Sequence, residues 1–510
     1  MTGTEPLAAF HKIGGRMKNL LFTFVILVLT LNLIADWSIE QKVFAEDGVG
    51  EDYFGESVSI SGDFAIVCAP LNNYPLGAAY LYQKVNDQWF LAEKILASDS
   101  TNTHAFGSDV FINNEYMIIG ANYFYGNDSG SAYIYHRDGD IWNELDIITA
   151  SGSPICDQYG FSVGITESGD YAVVGAYSDD ENGEHSGAVY VYQRNGSEWN
   201  QQIKIMAFDG EINDSFGFST FITDNYLFVG ATDDCDNGDL SGSVYIYENN
   251  GTTWEYHSKL IASHNTSSDR FGRSISVYDD LLIVGTYCYD QGEAFVFRKE
   301  NSNWIEEAIL TASDGFDYDR FGCSVSMSGD FIIVGACNRP DVATSASAYF
   351  FEKEGLEWIE LNKLTIENWG AFGYSVSISG DNAIVGANLD WGVSNATGAA
   401  YIISNDETSI NQEFVTCSKR NEIRNYPNPF NPTTTIEFLI QNDSKVELSL
   451  FNIKGQKIKT IINNGYSKGK HSIIWDGNDD SGKAVSSGIY YYKLNVNSKT
   501  EAVKKCLLMK

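Results

Sequence analysis

The sequence predicts an all-β protein, a seven-bladed β-propeller closed by its own N-terminal strand and followed by a small β-sandwich. Three observations predict it. An aromatic-glycine pair recurs seven times, at Phe54-Gly55, Phe106-Gly107, Tyr159-Gly160, Phe216-Gly217, Phe271-Gly272, Phe321-Gly322 and Phe372-Gly373, spaced 50 to 57 residues apart, which is a repeat-protein period. Each copy then closes an apolar run on a small pair: Cys68-Ala69, Gly120-Ala121, Gly175-Ala176, Gly230-Ala231, Gly285-Thr286, Gly335-Ala336 and Gly386-Ala387. Aromatic-x-aromatic segments follow, such as Tyr80-Leu81-Tyr82 and Tyr245-Ile246-Tyr247, and then a segment opened by Trp89, Trp142, Trp199, Trp254, Trp304 or Trp358.

The seventh tryptophan decides the architecture. Trp37 precedes the first Phe-Gly pair, whereas the seventh copy stops at Ala400-Tyr401-Ile402-Ile403 without a tryptophan segment. The first strand therefore completes the last blade, and only short, protected sheet edges remain.

Within a blade, period-two alternation marks strands, as in Ser57-Val58-Ser59-Ile60 and Phe64-Ala65-Ile66-Val67. Ser61-Gly62-Asp63, Ser328-Gly329-Asp330 and Ser379-Gly380-Asp381 place glycine where a tight hairpin needs positive φ. The Phe-Gly glycine is expected to permit close backbone approach near the axis.

These residues resemble the FG-GAP repeats of integrin α-like propellers. In that family some repeats carry a calcium loop of the pattern D-x-D-x-D-G-x-x-D between the Phe-Gly and Gly-Ala strands. Here Asn113-Asn114-Glu115, Thr223-Asp224-Asn225 and Tyr278-Asp279-Asp280 are too short for it, and Thr166-Glu167-Ser168-Gly169-Asp170 is scarcely longer. The family's calcium sites are not carried over.

The 510 residues divide into a leader (1–35), the propeller (36–404), a polar linker (405–423) and a C-terminal domain (424–510). In the leader, Arg16 and Lys18 precede an apolar run from Leu20 to Leu33, with Ala35 at the cleavage position. This pattern reads as a secretory signal peptide and leaves no stable transmembrane segment after cleavage. Met17 is an alternative start.

The C-terminal domain opens on Tyr426-Pro427-Asn428-Pro429-Phe430-Asn431-Pro432. Strands are expected at Thr435 to Ile440, Val446 to Ile453, His471 to Trp475 and Gly488 to Leu494, with the turn Asp476-Gly477 between the last two. With the Trp475-Asp476-Gly477 turn, the Gly488-Ile489-Tyr490 strand and the basic-apolar end, this segment resembles the C-terminal sorting domain (T9SS type A) of the type IX secretion system, which shares an Ig-like sandwich with flagellar hook-capping proteins. The resemblance implies export to the outer surface of a Gram-negative-type bacterium, with the secretion machinery as partner.

The formal net charge is −35, and the tail from Lys419 onward is net basic, so the propeller carries the acidity. Such a surface repels phosphate, which argues against nucleic acid as a partner. Catalytic patterns fail on context. Gly160-Phe161-Ser162-Val163-Gly164 matches G-x-S-x-G but lies in a strand without the strand-turn-helix setting of a nucleophile elbow. Gly477-Asn478-Asp479-Asp480-Ser481-Gly482-Lys483 lacks the hydroxyl residue of a phosphate loop, because Ala484 follows. His104, His185 and His257 show no metal-ligand spacing. Cys323 and Cys337 flank a hairpin and could bridge across it.

Alternating strand direction sends the loops after Gly-Ala and before Phe-Gly to one face. Candidate ligand-binding residues there are Tyr123, Tyr125, Tyr177, Asp179, Asp180, Asp233, Tyr287, Tyr289 and Trp391. The leading reading is a non-enzymatic, secreted or surface adhesion propeller without cofactor, contacting an extracellular protein or glycan. A calcium-dependent module using Asp234, Asp236 and Asp239, or Asp179 and Asp180, is the alternative, and a propeller hydrolase the third.

Overall fold

The structure is a computed structural model. It describes residues 37–405 and 423–508, except 75, 100–104, 123–129, 151–156, 265–266, 289, 338–345, 356, 367–369, 391–396, 427–429, 431, 441–442, 453, 455 and 498. The leader, Met17, most of the linker, and Tyr123, Tyr125, Tyr289, Trp391, Pro427, Asn428, Pro429 and Asn431 lie outside the described residues. The chain forms two compact units, 1–409 and 410–510.

Seven four-stranded antiparallel sheets make up the first unit. Blade one comprises Val58–Ser61, Phe64–Ala69, Ala78–Val85 and Gln88–Ile95, and the next five repeat it. Blade seven is composite: Val376–Ser379, Asn382–Ala387 and Ala399–Asn405 are completed by Trp37–Val43, which pairs with the third strand in the register Trp37↔Asn405 and Lys42↔Tyr401. The expected closure is what the structure contains.

The repeated marks have separate structural tasks. The Phe-Gly aromatic packs edge-on against the first aromatic of the third strand in its own blade, as in Phe54–Tyr80 at 5.1 Å, Phe216–Tyr245 at 5.2 Å and Phe372–Tyr401 at 5.2 Å. Each tryptophan wedges against the preceding blade. Trp142 meets Phe64 at 5.7 Å, Trp254 meets Tyr171 at 5.4 Å, and Trp37 stacks on Phe350 of blade six at 4.8 Å.

The glycines serve the seams between blades. Gly217 has φ +92°, and a Cβ on it would lie 2.4 Å from the Ala188 carbonyl oxygen of the blade before. Gly175, of the Gly-Ala pair in that preceding blade, would in turn place a Cβ 2.2 Å from the Gly217 carbonyl oxygen. The close approach expected near the axis is therefore an approach of one blade's backbone to the next.

Serine hydroxyls lace the innermost strands together where no backbone ladder joins them. Ser162 Oγ donates to the Gly217 carbonyl at 2.9 Å and Ser375 Oγ to the Gly55 carbonyl at 2.9 Å, the latter across the closure. Ser59 accepts the Ile112 N–H at 3.1 Å, Ser276 that of Met327 at 3.1 Å, and Ser377 that of Ile60 at 3.1 Å. Ser162 is thus a seam residue, which accounts for the G-x-S-x-G match.

The second unit contains a three-stranded sheet (Ile423–Tyr426, Thr434–Ile440, Gly469–Trp475) and a four-stranded one (Lys457–Tyr466, Ser444–Asn452, Gly488–Val496, Lys499–Leu508). Two of these strands, Ile423–Tyr426 and Lys457–Tyr466, were not expected, since the first falls at the proline-rich opening and the second is largely polar. Phe430 packs tilted against Trp475 at 5.2 Å and Trp475 edge-on against Tyr490 at 5.4 Å, and all three rings lie in the core of this unit.

Candidate functional site

The residue after each aromatic-glycine pair varies, and the fold brings all seven to one place. Glu56, Ser108, Phe161, Phe218, Arg273, Cys323 and Tyr374 line the loop-side end of an axial cavity of about 460 Å³. Apart from Cys323, noted for its place across a hairpin from Cys337, none stood out in the sequence, because 50 or more residues separate neighbours in the ring.

Around this mouth the chemistry is sectored. On one side Phe161 meets Tyr177 at 4.5 Å and Phe218 at 4.8 Å. Arg273 lies over the Phe218 ring at 4.6 Å and over Tyr287 at 5.0 Å, while Arg320 lies over Tyr287 at 4.4 Å. Opposite, Tyr374 donates its hydroxyl to Glu56 Oε1 at 3.0 Å and Asn388 donates to Oε2 at 2.7 Å. Burial raises the Glu56 pKa from its ordinary value despite Asn388, Tyr374 and the nearby Arg273 charge.

Two thiols adjoin the arginines. Cys323 and Cys337 are buried and free, and Cys323 Sγ donates to the Gly373 carbonyl at 3.3 Å. The hydrogen bond from Cys323 and the charges of Arg273 and Arg320 hold the Cys337 thiol below its ordinary pKa, whereas burial pushes Cys323 up.

Deeper in the channel, Asp109 occupies a position that is serine in all six other blades. Its carboxylate accepts the Ser57 hydroxyl at 2.9 Å and the Val163 N–H at 2.9 Å, bridging blades one, two and three. Desolvation lifts its pKa to about 6, against the lowering effect of these hydrogen bonds.

Of the residues anticipated from sequence, Tyr177 and Tyr287 join the mouth. Asp233 pairs with Arg270 at 2.9 Å, close by. Asp180 is exposed and accepts the His185 N–H at 2.7 Å. Asp179 is fully buried instead of displayed: its Oδ2 takes the Tyr190 hydroxyl at 3.0 Å and the Lys204 ammonium at 2.6 Å.

Asp234 repeats that arrangement, accepting Ser243 at 2.7 Å, Tyr245 at 3.0 Å and Lys259 at 2.7 Å. Lys259 also reaches Asp236 at 2.5 Å and Asp209 at 3.1 Å. A lysine ammonium thus sits among the carboxylates considered for calcium, while Asp239 is exposed and lies 4.0 Å from the Cys235 thiol. Burial opposes ionisation of Asp234, but Lys259, the Asp236 N–H and Ser243 outweigh it and lower its pKa. The same sheet register places Lys94, Lys204, Lys259, Lys363 and Lys42 opposite Tyr80, Tyr190, Tyr245, Tyr349 and Tyr401. Among the described residues, no cluster of three or more His, Cys, Asp or Glu could hold a metal ion.

In the second unit, Asp476 accepts Lys459 at 3.0 Å, and this bond, with those from Asn478, holds its pKa at about 2 despite slight burial. Gly477 has φ +71°, Ile489 is partly exposed, and the backbone of Tyr426 pairs with Thr435.

Seven segments, 37–82, 89–135, 142–192, 199–247, 254–297, 304–351 and 367–403, match the FG-GAP repeat, and together they span more than half of the chain. The chain belongs to the FG-GAP repeat family. Residues 431–500 match the FlgD Ig-like domain. Among curated proteins none matches.

Solved structures similar to this FG-GAP chain include PorZ of Porphyromonas gingivalis, a surface component of the type-IX secretion system. PorZ is 11% identical with a TM-score of 0.33, and the alignment covers 88% of this chain and 64% of PorZ. A fungal AA5-family alcohol oxidase in complex with copper is 12% identical, with 94% and 100% covered and a TM-score of 0.45. A putative 6-phosphogluconolactonase from Bacteroides uniformis is 10% identical, with 61% and 85% covered and a TM-score of 0.44. The chain thus spans 64% of the length of PorZ. Among the described residues, no helix is long and apolar enough to cross a membrane.

Proposed function

We propose that this FG-GAP protein is a non-enzymatic binding or adhesion module of the bacterial cell exterior, exported by the type IX secretion system through its C-terminal sandwich. The ligand, an extracellular protein or glycan, docks at the loop-side mouth of the propeller axis. One observation carries the reading: Tyr177, Phe161, Phe218, Arg273, Tyr287 and Arg320 form a continuous aromatic–cation wall there. Aromatic and arginine side chains of this kind dominate recognition surfaces, and a rigid ring of sheets holds them in place.

The test is an array of glycans and extracellular proteins probed with the purified chain and with Phe218→Ala and Tyr177→Ala. A specific ligand whose binding falls at least tenfold in both variants supports the reading, and a ligand indifferent to both removes the mouth from it. For export, replacement of the C-terminal sandwich by an unrelated domain is expected to strand the propeller in the periplasm of a host with the type IX system.

The raised pKa values of Glu56 and Asp109 favour a hydrolase as the second reading, since shifted carboxylates gather at reaction centres. Both oxygens of each carboxylate are already engaged, by Tyr374 and Asn388 or by Ser57 and Val163. Hydrolysis of a chromogenic ester or glycoside that disappears in Glu56→Gln would establish this second reading instead.

A further inference from the structure

We infer that the mouth of the channel is an oxyanion site, in which Arg273 and Arg320 grip the carboxylate of a uronic-acid unit in an acidic glycan. The inference rests on the proposed binding role of the mouth and names its ligand class.

Both guanidiniums flank Tyr287, and neither donates a hydrogen bond or forms an ion pair among the described residues. Their Nε atoms are buried and unpartnered. A buried donor without an acceptor is destabilising, and more so when it carries charge. The fold contains arginines that are satisfied: Arg194 pairs with Asp170, Arg270 with Asp233 and Arg298 with Glu307. Arg273 and Arg320 remain open in a chain whose formal net charge is −35, where carboxylates are abundant.

The acid that feels the Arg273 charge, Glu56, does not pair with it. Glu56 is held by Tyr374 and Asn388, and burial already works against its charge. An incoming carboxylate can accept from the two Nη groups of one guanidinium side by side, a bidentate geometry in which arginine surpasses lysine. Tyr287 between the two cations fixes their planes and keeps them from spreading apart.

A sugar fits better than a peptide terminus. The arginines adjoin the rings of Phe218, Phe161 and Tyr177, an apolar wall suited to the C–H face of a pyranose. The inner-strand serines below donate and accept within the seams, so the mouth provides no sheet edge for an extended peptide. A cavity of about 460 Å³ has room for a sugar ring or two.

The experiment is calorimetric titration of the full chain with trigalacturonate, its methyl ester, and a peptide with a free C-terminal carboxylate. Trigalacturonate is expected to bind and the methyl ester to bind at least tenfold more weakly. Arg273→Gln and Arg320→Gln are each expected to reduce affinity at least tenfold, and Arg273→Lys to give a smaller loss. The methyl-ester comparison uses the unaltered protein, so it holds even if a variant folds poorly. Equal binding of acid and ester, no binding of either, or peptide binding in place of the uronate overturns the assignment. A neutral glycan or a protein found at Phe218 and Tyr177 would overturn it while leaving the binding role of the mouth intact.

Discussion

The Lys259 ammonium lies 2.7 Å from the Asp234 carboxylate, inside a blade and opposite Tyr245, whose ring it faces at 4.7 Å. An acidic loop that looks in sequence like a cation ligand therefore carries its own cation. Lys259→Met leaves Asp234 buried without a counter-charge and is expected to cost about 3–5 kcal/mol in a denaturant melt near neutral pH. Asp234 has a depressed folded pKa, so its contribution is present above the unfolded carboxylate value and is lost as pH falls through the folded one. The gap between wild type and variant should accordingly narrow in acid. Chelator is expected to leave the wild-type midpoint where it is; a fall of several degrees would restore calcium to these loops.

Asp109 has the opposite sign. Its folded pKa, about 6, exceeds the unfolded value near 3.9. Below both values the two states bind the same proton. Between them the unfolded chain has released a proton that the folded one keeps, so stability declines as pH rises through this window, by on the order of 3 kcal/mol at most. Asp109→Asn keeps an acceptor for Val163 and removes the charge. Its melting temperature should match wild type in acid and exceed it above about pH 7; equal midpoints across the range would show the shift to be absent.

The closure strand is a further point of attack. Trp37 is buried, stacked on Phe350 and edge-on to Phe331, and Trp37→Ala should cost about 3–5 kcal/mol. Deleting residues 37–43 exposes the Ala399–Asn405 edge, and a free edge recruits other chains. Size-exclusion chromatography is expected to show dimers or larger species; a monomer with an unchanged melt would contradict closure by this strand.

Gly217→Ala tests the seams. The new methyl would meet the Ala188 carbonyl at 2.4 Å in a backbone conformation with φ +92°. The obstructing atom belongs to the backbone and not to a flexible side chain, so a loss of more than about 2 kcal/mol is expected. By contrast, Gly196→Ala, at a turn with open space around it, pays only the positive-φ cost, about 1 kcal/mol.

Much of the fold was readable from Trp37 alone. A tryptophan strand before the first Phe-Gly pair, and its absence after Tyr401, required the ends to meet, and the register Lys42↔Tyr401 meets that requirement. The proposed mouth was less legible. Tyr177 and Tyr287, which stand out in sequence as loop aromatics, lie beside it, while Arg273, Arg320, Phe218 and Glu56 sit next to the Phe-Gly pairs, where a variable residue beside a repeated motif carries no signal of its own.

The amino-acid order by itself determined the blade count, the closure and the all-β class, because each is a matter of local pattern repeated at a regular interval. Only the tertiary structure decided which charges are free. Sheet register sets Lys204 and Lys259 against Asp179 and Asp234 and so removes those acids from the surface. Circular closure gathers seven distant residues at the axis, and beside them the Nε atoms of Arg273 and Arg320 have no hydrogen-bond partner among the described residues. Pairing of charges depends on distances in space, and a linear repeat does not contain them.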